Sequence, residues 1–314
     1  MNPVTTAAPA EGPLFDTALI VGIGHIGASV ALNLKKTGAV CQLLASDNTP
    51  QHLQIALACG LADQVGELEE MAPKADLVIL CTPVGAVDDV CRRLSGLLKP
   101  GCVVSDVGST KLNVLEAMEE HLPPSIEVVP AHPIAGIEKS GPSNAIANLF
   151  ENRWIVLTPS KRASAHAVEL VESVWTRFGA MVTHMSAEHH DQVLAATSHL
   201  PHLIAYCIVD TANQLGQDLK QEVIRYSAGG FRDFTRIAGS DPVMWRDVFL
   251  HNREAVLEVL DRFTEDLSAL RRAIRKGDGE LLESKFQETR AIRQTIVDAG
   301  QAGQFDPSEQ KSKN

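Results

Sequence analysis

Apolar residues in the first half of the chain fall in short runs separated by helical patterns. Residues 17–21, 41–46, 76–81, 102–106, 126–129 and 154–157 read as strands, mostly apolar along their length rather than alternating. Residues 26–36 repeat apolar positions at helical spacing and stop before Gly38, and 50–59 do the same before Gly60. Strands with no polar face need cover on both sides, and helices between strands supply it. The pattern therefore predicts an α/β fold with a parallel sheet between two helical layers.

Near Ser186 the pattern changes. Residues 187–216 read as helix interrupted at Pro201. Pro242 stands where a first-turn proline belongs, with Ser240 or Asp241 as cap, and the helix it opens extends to about Lys276. Within it Phe249, Val256, Phe263 and Leu270 recur every seven residues, with Leu260, Leu267 and Ile274 interleaved. That stripe is a seam for another helix. Intramolecular core fits it, and so does a homodimer contact, because a helix about 50 Å long outruns a small domain. The expected division is a leader over 1–15, an α/β domain over 16–185, an all-α substrate and dimerisation domain over 186–300, and a polar tail over 301–314.

Composition narrows the setting. A chain of 314 residues, 45% hydrophobic and 21% charged, suits a soluble protein of two domains or one large one. No run reaches the roughly 18–20 apolar residues of a membrane span. The N-terminus lacks the basic and apolar regions of a signal peptide, and the six cysteines form no C-x-x-C pair. A cytoplasmic location follows as the expectation. Net charge of −11 argues against nucleic acid as a partner. An anionic substrate would need a few converging cations, so arginines in polar loops matter.

Gly22-Ile-Gly24-His25-Ile26-Gly27 matches G-x-G-x-x-G between a predicted strand and a predicted helix, the context a dinucleotide site requires. Gly22 permits the tight turn, Gly24 lets backbone amides approach a pyrophosphate, and Gly27 lets helix and strand pack closely. The helix N-terminus offers free N–H groups to the phosphates. Asp47 lies 20 residues after Gly27, at the end of the second strand. A carboxylate there accepts from ribose hydroxyls and repels a 2′-phosphate, so the cofactor is expected to be NAD on a Rossmann-type domain. His25, within the loop, is expected to be solvated. Thr82-Pro83 and Gly108-Ser109 follow strand ends and should face the same cleft.

A third strand end, Pro130-Ala-His132-Pro-Ile-Ala-Gly136, places a histidine between a strand and a proline at the ligand-binding edge. Such a histidine suits a general base. Farther on, Ser198, His199 and His202 occupy adjacent turns of one predicted helix, with His199 and His202 sharing a face. Histidines at that spacing can chelate a metal, but no carboxylate or cysteine completes a site, so no metal is expected. His189-His190 opens the helix and reads as solvated. Arg232 and Asp233 read equally as a gate or a surface ion pair.

These stretches together carry a resemblance. V-G-I-G-H-I-G-A-S, D-V-G-S-T-K, A-H-P-I-A-G-I-E-K-S-G, T-S-H-L-P-H-L-I-A and G-G-F-R-D-F-T-R-I-A-G-S-D-P-V-M-W-R-D run in order from residue 21 to 247. In them the chain resembles the prephenate dehydrogenase family, which includes arogenate and cyclohexadienyl dehydrogenases, and specifically its short two-domain members. The resemblance implies oxidation of the ring carbinol of prephenate by NAD with loss of carbon dioxide, driven by aromatisation and serving tyrosine biosynthesis. It implies that His132 accepts the 4-hydroxyl proton and that Ser109 hydrogen-bonds that hydroxyl or orients His132. It further implies that Arg236 grips a substrate carboxylate. His202 would meet the pyruvyl side chain; Ser198 and His199 line the same pocket, and Trp245 and Glu138 border it.

Two other readings compete. Dehydrogenases of the hydroxyacid and 6-phosphogluconate type use a lysine on the first long helix of the second domain, and residues 187–219 contain none; the first is Lys220. A non-catalytic NAD-sensing module would keep the glycine loop and Asp47 without needing His132, Ser109 and Arg236 together.

Overall fold

The computed structural model describes residues 12–136, 141–214 and 229–298. The expected leader up to residue 11, the tail from 301, Glu138 and the end of the 187–216 helix lie outside them. The chain divides into two compact units between Arg253 and Glu254.

The first unit is built on a parallel sheet of β1 (Phe15–Val21), β2 (Val40–Ser46), β3 (Gln64–Val65), β4 (Leu77–Leu80), β5 (Val103–Asp106) and β6 (Glu127–Val128), in the order β3-β2-β1-β4-β5-β6. Its helices are α1 (His25–Thr37), α2 (Pro50–Ala58), α3 (Leu68–Met71), α4 (Val87–Leu94) and α5 (Leu112–His121). The absence of alternation in β1 has the expected cause. Ala18 and Ile20 pack in one core with Ala28, Ala31 and Leu34 of α1, while Leu19 and Val21 pack in another with Val90, Leu94, Val114 and Met118. Each fully buried aliphatic side chain contributes about 1.5–3 kcal/mol, so a charge at Leu19 would cost the second core. α1 ends where Gly38 takes φ 62°, the left-handed conformation that closes helices.

The run at 154–157 is a strand, but not of this sheet. β7 (Ala131–Pro133), β8 (Trp154–Leu157) and β9 (Met181–His184) form a second sheet in which β7 runs antiparallel to β8. α6 (Ala165–Arg177), capped by Ser164, connects β8 to β9. Pro130 has no N–H with which to continue the ladder, and the next donor, Ala131 N–H, goes to the Asp106 side chain at 3.1 Å.

Two helical expectations are corrected. Pro201 does not interrupt its helix: α7 (Ala187–Leu194) passes through one π-helical turn, Ala195–His199, into α8 (Leu200–Gln214). A proline inside a helix lacks one hydrogen bond and crowds the carbonyl four residues earlier, and the wide turn just before Pro201 relieves both. Conversely, the single helix expected over 242–276 is two, broken at Asn252 (φ −108°, ψ 34°). Numbered after α9 (Gly229–Thr235), they are α10 (Pro242–His251), which Asp241 caps by accepting from Met244 N–H at 2.8 Å, and α11 (Arg253–Lys276). The seven-residue stripe is therefore divided: Phe249 packs on Trp245 at 5.4 Å, whereas Leu267 and Ile274 are exposed.

Among the described residues one helix, Ala187–Gln214, is long and apolar enough on average to cross a membrane, although polar residues interrupt its apolar ones. Its first turns, however, carry His190 and Asp191, buried and bonded into the sheet domain. The second unit holds most of α11 and α12 (Gly279–Asp298), with Leu257, Leu267, Ile274, Leu281, Phe286 and Ile292 exposed.

Candidate active site

The strand order reverses between β1 and β4, and the carboxyl ends of strands at such a switch point are where open α/β sheets bind ligands. Gly22 takes φ +90°, and a Cβ there would stand 2.8 Å from the Cys81 carbonyl oxygen. A Cβ on Gly27 would stand 2.1 Å from the Gly22 oxygen, so α1 starts tight against the loop. Gly24 differs: a Cβ there would meet nothing within 4 Å. Packing within the chain does not require that glycine, whereas a pyrophosphate laid on the loop would. Thr82 Oγ1 at the end of β4 is buried without a hydrogen-bond partner among the described residues, a group that a ligand can satisfy. Pro83 is exposed beside it. The residues present fit a dinucleotide.

Asp47 is engaged with the loop itself. Its Oδ2 accepts from Ile23 N–H at 2.8 Å and its Oδ1 from Thr49 N–H at 2.7 Å, with His52 Nδ1 3.3 Å from Oδ2. His25 is not solvated. It is 7% exposed, and its Nδ1 lies 2.8 Å from the Asn144 carbonyl, because the turn Pro142–Asn144 packs over the start of α1. Burial lowers the His25 pKa against the raising effect of that hydrogen bond. Ile26 is half-buried on the same turn.

His132 lies in β7 and is buried, 8% exposed. Its Nδ1 is 2.8 Å from His190 Nε2, and His190 Nδ1 is 2.8 Å from Asp191 Oδ1. Asp191 also accepts from the backbone N–H of Lys111 at 2.8 Å and of Leu112 at 3.0 Å, the first turn of α5. Beneath this line Lys111 Nζ pairs with Asp106 and donates to the Ala131 carbonyl at 2.9 Å. Gly108 N–H and Ala131 N–H bond the same carboxylate. Burial drives Asp106 up and Lys111 down, and their mutual attraction opposes it. With every polar group bonded, the pair pins β7 to the end of β5; removing one partner of such a pair costs about 3–5 kcal/mol. Burial, then the neighbouring His190, Lys111 and His199, hold the His132 pKa well below the ordinary histidine range. Ser109, half-buried, follows Gly108 in the same loop.

The π turn sets the other histidines. His199 Nδ1 lies 3.0 Å from Asn252 Nδ2, which also donates to the Asp191 carbonyl at 2.8 Å. The amide can satisfy both only by donating, so His199 Nδ1 accepts and its proton sits on Nε2. That Nε2 is buried with no partner among the described residues, as is Trp245 Nε1. Burial takes the His199 pKa down to about 4. His202 Nδ1 donates to the Ser198 carbonyl at 2.8 Å, which makes the ring the Nδ1–H tautomer. Its ring lies on Trp245 with centroids 3.7 Å apart, and His199 meets the same indole edge-on at 5.9 Å. Ser198, His199, His202 and Trp245 thus form one cluster. Arg236 is exposed and opens the turn Arg236–Gly239, which packs against α8. Arg232 and Asp233 are exposed and 3.6 Å apart, as in a surface ion pair.

Sequence reasoning placed His190 in solvent, yet it is fully buried against His132. It also gave no role to Asp191, Asn252, Asp106 or Lys111. A signal was present for His190 and Asp191: Ala187, His190, Asp191 and Leu194 follow helical spacing on one face, and all four are buried.

Comparisons with known proteins cover nearly the same span. The model for the prephenate dehydrogenase nucleotide-binding domain matches residues 30–184, and that for the prephenate dehydrogenase dimerization domain matches 186–288. The chain is 38% identical to a cyclohexadienyl dehydrogenase of Zymomonas mobilis over 281 residues, covering 89% of this chain and 96% of that one. It is 34% identical to a prephenate dehydrogenase of Bacillus subtilis, covering 88% and 75%. Among solved structures, prephenate dehydrogenase of Aquifex aeolicus, in complex with hydroxyphenyl propionate and NAD+, superposes with a TM-score of 0.82 at 36% identity, covering 90% and 98%. On sequence and on fold, this chain belongs to the prephenate dehydrogenase family.

Proposed function

We propose that the chain is an NAD-dependent prephenate dehydrogenase, converting prephenate to 4-hydroxyphenylpyruvate, with arogenate as the second substrate to test. The observation that supports this most is His132: a buried imidazole, kept neutral at neutral pH, at the edge of the nucleotide domain. NAD, when bound, supplies the hydride acceptor for the ring carbinol. His132 takes the 4-hydroxyl proton and returns it to the same oxygen as carbon dioxide leaves and the ring becomes aromatic. The overall reaction therefore releases no proton.

Ser109 hydrogen-bonds that hydroxyl or orients His132. Arg236 grips a carboxylate, and His202 meets the side-chain keto oxygen beside Ser198, His199 and Trp245. A tight clamp on the departing carboxylate would stabilise the ground state and oppose its loss. Gly22, Gly24, Gly27, His25, Ile26, Thr82 and Pro83 surround the cofactor, and Asp47 accepts from the adenosine ribose.

The substrate and dimerisation region begins at residue 186, and a homodimer through its helices would cover Leu257, Leu267, Ile274, Leu281, Phe286 and Ile292, all exposed in the monomer. All six cysteines are free, in keeping with a cytoplasmic enzyme.

The test is reduced-nucleotide production by the purified full chain with prephenate or arogenate, each under NAD and NADP. Turnover of prephenate with NAD is expected. Absence of turnover with both substrates and both cofactors overturns the reading.

A further inference from the structure

The buried polar groups behind His132 form a line for which the reaction described above has no use. Asp191 sits at its far end, accepting from Lys111 N–H, Leu112 N–H and His190 Nδ1. A carboxylate can only accept, so the proton of His190 lies on Nδ1. His190 is fully buried, and burial lowers its pKa against the pull of Asp191, so the ring is neutral and its Nε2 is a lone pair. That lone pair stands 2.8 Å from His132 Nδ1. Two ring nitrogens at that separation need one hydrogen between them, and only His132 can supply it.

We propose that Asp191 and His190 are positioning residues: they fix His132 as the Nδ1–H tautomer, leaving Nε2 to take the substrate proton, and they spread the resulting positive charge toward Asp191. The proposal rests on His132 being the base. When the hydroxyl O–H bond breaks and Nε2–H forms, His132 becomes a cation. Its Nδ1–H then bonds more strongly to His190 Nε2, and His190 Nδ1–H to Asp191. The proton returns from Nε2 to the product oxygen, and the line ends each turnover neutral. The charged and titratable groups facing His132 are His190 and Asp191 on α7, Lys111 and Asp106 on the sheet side, and His199 on the π turn. Lys111 is already compensated by Asp106, so Asp191 is the anion left to answer an imidazolium.

The experiment compares the pH dependence of kcat, at saturating NAD and prephenate, for the unmodified protein, His190→Gln, His190→Phe and His132→Asn. Glutamine can still accept from His132 Nδ1 but cuts the link to Asp191; phenylalanine loses both. The expected losses in kcat are about 10- to 100-fold, larger for Phe than for Gln, with KM for prephenate little changed. In both variants the acid limb should move to lower pH, since an unsupported imidazolium forms less readily. A role in packing alone would not move it. Should His190→Phe fail to fold, His190→Gln and 15N spectra of histidine-labelled unmodified protein with NAD decide the matter. Those spectra should show neutral His132 protonated on Nδ1, and protonation on Nε2 overturns the proposal. If His132→Asn keeps the acid limb, the base assignment itself fails and the relay with it. If His132→Asn loses the limb while His190→Gln keeps both limb and kcat, the relay alone fails.

Discussion

The Asp47 carboxylate is bonded to the glycine loop: its Oδ2 accepts from Ile23 N–H at 2.8 Å. The residue proposed to select the cofactor therefore also helps to hold the glycine turn. Asp47→Ser removes the ribose acceptor, the repulsion of a 2′-phosphate and one loop anchor together. NAD affinity should fall and use of NADP rise, with the gain in NADP smaller than the loss in NAD because the loop is loosened for both. Kd values for the two cofactors check this. Equal use of both cofactors by the unmodified protein would defeat the assignment.

Arg236→Lys keeps the charge and loses the planar fork. Binding of prephenate should weaken by roughly tenfold or more while NAD binding stays constant, because a single ammonium replaces a two-pronged grip. An unaltered KM for prephenate would remove Arg236 from the site.

His132→Asn should fold and bind NAD yet lose about 10²–10⁴-fold in kcat. The base must be neutral to act, and burial with the nearby His190, Lys111 and His199 lowers its pKa. Activity in the unmodified protein should consequently persist below pH of about 6.5 before it falls. Profiles of kcat against pH for the two proteins carry the comparison. Persistence of the same limb in His132→Asn would point to His199 or His202 instead.

Stability should also depend on pH through the buried imidazoles. Unfolded, a histidine protonates near 6.5, whereas folded His199 does so only at about 4. Between those values the unfolded chain binds more protons, so stability is full above about 6.5 and is lost as pH falls toward 4. For His199 the loss is on the order of 3 kcal/mol, and His132 and His190 shift in the same direction. Urea titrations at pH 7.5 and 5 should show a lower midpoint at pH 5, and His199→Gln should narrow the difference. A midpoint as high at pH 5 as at 7.5 would contradict it.

The nucleotide half was legible because its signals are local. The glycine loop, unbroken apolar strands and helix-closing glycines each act within a few residues, and β1, α1 and Gly38 appear where they were expected. What escaped depends on partners far apart in sequence. β7 leaves the parallel sheet because Ala131 N–H finds Asp106, 25 residues earlier. Asn252 breaks a helix whose apolar period runs straight through it, since its amide is held by Asp191 and His199, 61 and 53 residues away. His190 read as solvated because a histidine near a helix start is polar in isolation; only the approach of β7 turns it inward. Trp245 is core, as a tryptophan in a helical run usually is, and it also stacks on the ring of His202.

The π turn at Ala195–His199 makes the chain read in two frames. An α-helix advances about 100° per residue, so a turn holding one extra residue rotates everything after it by that amount relative to an uninterrupted helix. His190 and Asp191 are set in the frame before the turn, His202 in the frame after it. Deleting one residue from 195–199 would let the helix close regularly and swing His202 about a quarter-turn away from Trp245, while leaving the partners of His132 in place. Substitutions within the turn conserve the count and keep both frames. A length change in this stretch would therefore move His202 relative to the partners of His132, which a substitution at Ala196 or Thr197 would not.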